Sequence, residues 1–319
     1  MRLIRDVSTF KTDGLSLAIG NFDGMHIGHQ AVLNDMLSQS RALGVPSAVM
    51  TFEPHPRRYF ATEKAPFMLE RFHVKSRRFH ALDIDYHIAL RFKKDLAALH
   101  ADDFISNILV DSLGVRHVTT GDNFYFGYKR SGNCDSLGAK AVEHDFTYHA
   151  MKAVRVAVPE RVMTCSSSRI REFLRNGDVT SAALMLGRPY EMTGRVSKGE
   201  QRGRTINFPT ANITPSHNAF IPEFGVYAVR FAVLDTLDYN ATEQWHDGVA
   251  NFGLRPTFGG ESPRLEVHGL DFDRDIYGKR IRVQLLQYIR NEKTFDGIDA
   301  LKTQIALDAK EARQWLTQN

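Results

Sequence analysis

The sequence predicts two domains in series: an α/β domain on a parallel sheet, then a small antiparallel β-barrel with a C-terminal helix. Three observations predict it. Short apolar runs alternate with helical periodicity through the first half, as the strand–helix–strand units of a parallel sheet require. In the second half apolar residues fall at every second position, the mark of antiparallel strands with one face turned to water. The length of 319 residues suits two domains better than one.

Taken in order, Leu15 to Ile19 reads as a short buried strand that stops at Gly20. Val32, Leu33, Met36, Leu37 and Leu43 follow near helical spacing, and Pro46 leads into the apolar run SAVMTF ending at Phe52. Asp102 and Asp103 open a second amphipathic stretch carrying Phe104, Ile108 and Leu109. Gly114 ends it, Arg116 to Thr120 reads as the next strand, and AVRVAV (153–158) as a further one. Beyond Gly225, Tyr227, Val229, Phe231 and Val233 share one face, and Ile281, Val283 and Leu285 stand opposite Arg280, Arg282 and Gln284. Ile298, Leu301, Ile305, Ala309, Ala312 and Leu316 step by three or four and predict a terminal helix with one apolar stripe. The change of period places the boundary near Gly187-Arg188-Pro189, dividing the chain into 1–186 and 187–319.

With 43% hydrophobic and 24% charged residues, the chain is neither disordered, collagenous nor a coiled coil. No apolar run approaches the ~20 residues of a membrane helix, and the start MRLIRDVSTFKTDG has no apolar core of a secretory signal. Lys plus Arg number 41 against 37 Asp plus Glu, and a net charge of +4 is too mild for a nucleic-acid coat. A pI of 9.0 leaves nucleic acid open on charge alone, anionic small molecules are equally consistent, and the partners expected include neither nucleic acid nor membrane. Two cysteines, Cys134 and Cys165, support neither a disulfide framework nor a four-thiolate zinc site, so a reducing, cytoplasmic setting is expected.

The decapeptide GNFDGMHIGH (20–29) sits where a strand ends and a helix begins, the position at which open α/β sheets bind ligands. Gly20, Gly24 and Gly28 let the backbone approach a phosphate, and the helix start is expected to offer unpaired N–H groups. Gly20, Asn21, Phe22, Asp23 and Gly28 are therefore candidate ATP contacts. His26 and His29, three apart, share one face of the first helical turn. Two fixed imidazole donors suit adenylyl transfer, because charge builds on the oxygens of the attacked α-phosphate. Zinc would need a third ligand, and no spacing motif supplies one. The plain alternative is two surface histidines in an ordinary turn, and the strand–glycine–helix context argues against it.

Three further segments can complete that site. GDNFYFGYKRSGN (121–133) follows a strand and offers Asn123 and Lys129 to ribose or phosphate, though it also reads as a Gly-rich aromatic hairpin. SSSRIREFL (166–174) offers Ser167, Ser168 and the planar donor fork of Arg171, while its hydroxyls also suit a helix cap. TFEPHP (51–56) stiffens a strand exit and carries Phe52, His55 and Pro56 as further candidate contacts, although His55 reads more readily as a loop residue than a ligand.

The second constellation is GRVSKGEQRGRTINFPTAN (194–212). Gly194, Gly199 and Gly203 alternate with Arg195, Lys198, Arg202 and Arg204, a pattern expected of a mobile cationic loop over polyphosphate. It is not a Walker A loop. Thr210 and Asn212, two apart on an extended segment, point to one side and present oxygen ligands suited to Mg2+. Glu266, between the apolar Leu265 and Val267, faces away from both and can take a proton from an attacking hydroxyl. GVANFGLRPTFGG (248–260) is expected to rim that site.

With both constellations in hand, the chain closely resembles the bacterial bifunctional riboflavin kinase/FAD synthetase family over nearly its whole length. GNFDGMHIGH, GDNFYFGYKRSG, SSSRIREFLRNGD, GRPYEMTGRV, GRTINFPTANI, GVANFGLRPTF and DIYGKRIRV all look like family signatures, in the family's order. The resemblance implies a Rossmann-like nucleotidyltransferase domain with an HxGH motif, followed by a riboflavin-kinase barrel. It implies ATP- and Mg2+-dependent phosphorylation of riboflavin to FMN, then adenylylation of FMN by a second ATP to FAD and pyrophosphate. It also implies roles: His26 and His29 at the adenylyl-transfer phosphates, Asn123, Ser167, Ser168 and Arg171 lining ATP, Thr210 and Asn212 at the kinase magnesium and ATP, and Glu266 as kinase base. Gly194, Lys198, Gly199 and Arg204 would contact the kinase phosphates. Three positions depart from the family pattern: Ser168 replaces threonine, Asn123 stands where many members have aspartate, and Asn207 replaces a glycine.

Other readings predict different features. His26-Ile27-Gly28-His29 also spells the signature of class I aminoacyl-tRNA synthetases, which would require a KMSKS-like loop that the sequence lacks. A single-function adenylyl- or cytidylyltransferase would leave Thr210, Asn212 and Glu266 without a task. A nucleotide- or flavin-binding regulator would need no proton acceptor.

Overall fold

The computed structural model describes residues 1–61, 66–197, 210–234, 244–257 and 260–318, with backbone alone at 255–257 and 260–261. Lys198, Gly199 and Arg204, and with them Arg202 and Asn207, lie outside the described residues. The chain forms two compact units. The first holds 1–65, 70–156 and 162–165; the second holds 66–69, 157–161 and 166–319.

In the first unit the strands are β1 (Arg2–Ile4), β2 (Leu15–Ile19), β3 (Ser47–Glu53), β4 (Tyr86–Arg91), β5 (Val115–Gly121) and β6 (Thr147–Met151). They form one sheet in the order β1-β4-β3-β2-β5-β6, every pair parallel. The order reverses between β2 and β5, which makes the carboxyl ends of those two strands the crevice for a ligand. The helices are α1 (Ile27–Leu43), α2 (Pro56–Phe60), α3 (Phe72–Ala81), α4 (Lys94–Ala98), α5 (Ala101–Asp103) and α6 (Cys134–Glu143). α5 runs directly into a π-helical stretch, Phe104–Ser112, where the sequence predicts an ordinary amphipathic helix. Leu15, Leu17 and Ile19 bury one face of the sheet among Ile105, Leu109 and Leu137. On the other face Ala18 and Val49 pack with Leu33, Met36 and Phe79. The run 153–158 yields β7 (Arg155–Val158), which stays out of this sheet; Arg155 and Ala157 are exposed, and β6 takes the edge instead. β8 (Arg161–Thr164) follows.

In the second unit α7 (Ser167–Arg175) and α8 (Val179–Leu186) precede a closed barrel. Its strands are β9 (Tyr190–Ser197), β10 (Ala211–Ile213), β11 (Gly225–Leu234), β12 (Trp245–Thr257), β13 (Gly260–Gly269) and β14 (Arg280–Arg290), arranged β10-β13-β12-β11-β14-β9. Tyr227, Val229, Phe231, Phe252, Leu265, Val267, Ile281, Val283 and Leu285 fill the interior. The outer face is not wholly wet, as the alternation had suggested. Val226, Ala228 and Val249 are covered by Ala312 and Leu316 of the terminal helix α9 (Ile298–Gln318). The N-terminal end of the predicted stripe does not bury, since Ile298 is 62% exposed. Instead Asp308, 4% exposed, anchors the helix through a two-pronged pair with Arg290 at 2.8 and 2.6 Å.

Candidate functional site

β2 delivers Gly20 and Asn21 to the crevice, and the turn to α1 takes three left-handed residues: Phe22 (φ 50°), Gly24 (φ 86°) and Met25 (φ 37°). His26 is the N-cap of α1, and its Nδ1 accepts the His29 amide at 3.2 Å. A ring nitrogen that accepts carries no proton, so this bond places the His26 ring proton on Nε2. The His26 and His29 rings stack at 3.6 Å and 14°. Gly28 makes the stack possible, because a Cβ there would lie 3.2 Å from the His26 ring.

This corrects the expectation of open amides at the helix start. His29 N–H goes to His26, and the Gly28 and Ile27 amides go to the Cys165 thiol, which burial nevertheless pushes up. In this arrangement the first three amides of α1 are already engaged, by the His26 ring and by the Cys165 thiol. Two further motif residues support the turn. Phe22 is buried in the core and meets the His29 ring edge-on at 5.2 Å. Asp23, 2% exposed, accepts the Glu70 amide at 3.1 Å. Gly20 leaves room for the Phe22 ring, 3.2 Å from where a Cβ would stand. At the end of β5, Asn123 is exposed beside Gly121.

At the end of β3, His55 caps α2 by accepting the Arg57 amide at 3.1 Å, and Pro56 occupies the first helical turn. Phe52 lies 6.1 Å from Phe92, which also meets Tyr59 at 5.3 Å and Phe60 at 5.7 Å. Phe60 is 66% exposed. Of these four rings the sequence singles out Phe52 alone; with 21 Phe and 10 Tyr, nothing in it marks Tyr59, Phe60 or Phe92 as its neighbours.

In the second unit Ser166, not Ser167 or Ser168, caps α7 by accepting the Arg169 amide at 3.3 Å. Arg171 is buried, with Nε donating to the Phe67 carbonyl at 2.7 Å. Gly194 is not part of a mobile loop. It lies within β9, where a Cβ would stand 2.9 Å from Ile213, so close packing in the barrel wall accounts for the glycine.

Asn212 on β10 is the register partner of Glu266 on β13, and Glu266 is in turn the partner of Asn251 on β12. Directly opposed residues project from the same face. Leu265 and Val267 point inward at 0% and 2% exposure, so this polar row lies on the outer wall. Asn212 Nδ2 approaches Thr210 Oγ1 at 3.4 Å, which puts both on one side as the spacing predicts. Asn251 donates to Glu292 at 3.3 Å. Neither Asn251 nor Glu292 was singled out in the sequence; the barrel register joins Asn251 to Glu266, and the hydrogen bond adds Glu292. Among the described residues no cluster of three or more His, Cys, Asp or Glu is arranged to hold a metal. The Thr210 hydroxyl and the Asn212 amide oxygen are hard donors on the Glu266 side of the barrel wall.

Comparison with known proteins adds the following. The FAD synthetase family profile matches residues 9–167, and the riboflavin kinase profile matches 186–316. The chain is 40% identical to the bifunctional riboflavin kinase/FMN adenylyltransferase of Escherichia coli K12, covering 99% of this chain and 98% of that one. It is 33% identical to the Bacillus subtilis protein of the same name, over 94% and 92%. A crystal structure described as a macrolide-efflux protein from Streptococcus pneumoniae superposes with a TM-score of 0.85 at 27% identity, covering 98% and 99% of the two chains. Among the described residues of the present chain, no helix is long and apolar enough to cross a membrane.

Proposed function

Since the chain belongs to the bifunctional riboflavin kinase/FMN adenylyltransferase family, we propose that each of its two reactions is carried by one of the two residue groups described above. The chain phosphorylates riboflavin with ATP to give FMN, and adenylylates FMN with ATP to give FAD and pyrophosphate. The observation that carries the assignment is that the His26–His29 pair and the Asn212–Glu266 pair fall in different compact units. The functional boundary we propose, 1–186 and 187–319, is supported by Gly187, whose left-handed backbone (φ 70°) ends α8.

In the adenylyl transfer an FMN phosphate oxygen attacks the α-phosphorus of ATP and pyrophosphate leaves. The His26 Nε2–H and the His29 ring stabilise the charge that grows on the phosphate oxygens. Asn21, Gly28 and Asn123 border the same crevice. The roles of Ser167, Ser168 and Arg171 at ATP rest on their motif alone. The exposed rings beside Phe52, with His55 and Pro56, suit a flat flavin. Phe60→Ala should therefore raise KM for FMN severalfold without changing riboflavin phosphorylation; an unchanged KM removes this cluster from the flavin site.

In the kinase reaction the ribityl 5′-hydroxyl attacks the γ-phosphorus, Glu266 takes its proton and ADP leaves. Thr210 and Asn212 would hold Mg2+, which supplies charge neutralisation on the phosphates when bound. The proposed setting is the cytoplasm, where ATP is at hand and the free thiols of Cys134 and Cys165 stay reduced.

The test is to incubate the purified protein with riboflavin, ATP and Mg2+ and to separate the flavins. His29→Ala should abolish FAD while FMN still accumulates. Glu266→Ala should abolish FMN formation while supplied FMN is still converted to FAD. Loss of both activities from either folded variant refutes the two-site assignment.

A further inference from the structure

Lys75 on α3 is 1% exposed, a burial that lysine rarely tolerates without a partner. Its Nζ donates to the backbone carbonyl of Asn21 at 2.9 Å and lies 3.4 Å from Glu53 Oε1. One ammonium thus ties the carboxyl end of β2, where GNFDG begins, to the carboxyl end of β3, where TFEPHP begins. The turn it holds contains two non-glycine residues with positive φ, Phe22 and Met25, a backbone that persists only when its surroundings hold it. A second restraint comes from just before the same helix: the Glu70 amide binds Asp23, and Arg78 on α3 pairs with Glu70 at 2.5 Å. The Asn21 side-chain oxygen is buried with no hydrogen-bond partner among the described residues, so the restrained residue keeps an acceptor in reserve. Glu53, 22% exposed, places a carboxylate at the edge of a crevice that must accept a triphosphate. Unneutralised, it would repel that ligand.

We propose that Lys75 is a positioning residue for adenylyl transfer, pinning the Asn21–Met25 turn through Asn21 and cancelling the Glu53 charge beside the nucleotide. The proposal rests on the reading of the His26–His29 crevice as the adenylyl-transfer site. Its two parts separate by mutation. Lys75→Gln can still donate to Asn21 but no longer neutralises Glu53. Lys75→Met fills a similar volume and does neither.

The full-length chain is used throughout, with FMN adenylylation and riboflavin phosphorylation measured on each variant. Lys75→Gln is expected to raise KM for ATP in FAD formation about tenfold with kcat within threefold, the split expected of lost ground-state binding. Adding Glu53→Gln should restore at least half of that loss on a logarithmic scale, a rescue that a purely structural lysine would not give. Lys75→Met should lower kcat as well, and Glu53→Gln should recover only its KM component. Riboflavin phosphorylation should stay within twofold in every variant. The proposal is overturned if Lys75→Gln leaves KM for ATP unchanged, if Glu53→Gln gives no rescue, or if both lysine variants fail to unfold cooperatively, which would make the lysine a core residue only. His29→Ala run in parallel separates the two levels. If FAD formation survives in His29→Ala, the site reading itself fails; if it is lost while the lysine variants behave as wild type, only the role of Lys75 fails.

Discussion

At the scale of single residues, position 26 combines two tasks. The His26 ring caps α1 and, in the proposed adenylyl transfer, donates from Nε2–H to a nucleotide phosphate. Asparagine caps a helix well, whereas alanine at such a position costs about 1 kcal/mol. His26→Asn should therefore lose FAD formation with little change in melting temperature, while His26→Ala loses both; equal melting temperatures for the two variants would deny the capping role. His87 gives a different prediction. It is fully buried between Thr51 and Ser76, each 2.9 Å from a ring nitrogen. Burial, then the charges of Lys75 and Arg5, push its pKa down to about 3 from an ordinary 6.5. Above pH 6.5 both folded and unfolded chains hold it neutral. Below that, only the unfolded chain takes up the proton, so stability falls as pH drops from about 6.5 toward 3, by roughly 1.4 kcal/mol per unit at most. Urea unfolding at pH 7 and pH 5 should show a loss of about 2 kcal/mol that His87→Gln largely removes. None of this was visible in the sequence. Periodicity identifies positions that face a core, but it does not reveal that His87 and Lys75 enter that core as polar residues whose partners come from distant parts of the chain.

At the scale of elements, the strands with the plainest patterns were readable: β2 and β3 as apolar runs, β5 from the helix break at Gly114, β11 and β14 as alternations. β1 has three residues and β6 is largely exposed, so neither carries a pattern that rises above its surroundings. β4, YHIALR, holds the buried His87 where a strand template expects an apolar residue. The terminal helix was readable, but its anchor was not, because Asp308 belongs to no apolar stripe. Breaking a buried ion pair on one side typically costs about 3–5 kcal/mol. Asp308→Ala should lower barrel stability by that order, measured by urea titration. A change below 1 kcal/mol would mean that Ala312 and Leu316 hold the helix unaided.

At the scale of the molecule, the two chemistries were legible because each motif sits at a change in backbone character, strand to helix or loop to strand. The neighbours Asn251 and Glu292 were not, because Asn251 joins Glu266 only through the register of a closed barrel and Glu292 only through its bond to Asn251. The compact second unit begins before the functional boundary and takes in α7 and α8, with Ile170, Leu174, Met185 and Leu186 buried. A fragment of 187–319 should still phosphorylate riboflavin, and one of 166–319 should do so with a higher melting temperature. Identical melting curves would show that the two helices add nothing to the barrel.

The closure of that barrel has a practical consequence when the halves are separated. A sheet that returns on itself presents no row of unpaired main-chain donors for a stranger to extend, whereas the parallel sheet ends openly at β1 and β6. The severed kinase half should thus stay clear in concentrated solution, and any clouding should begin with the other.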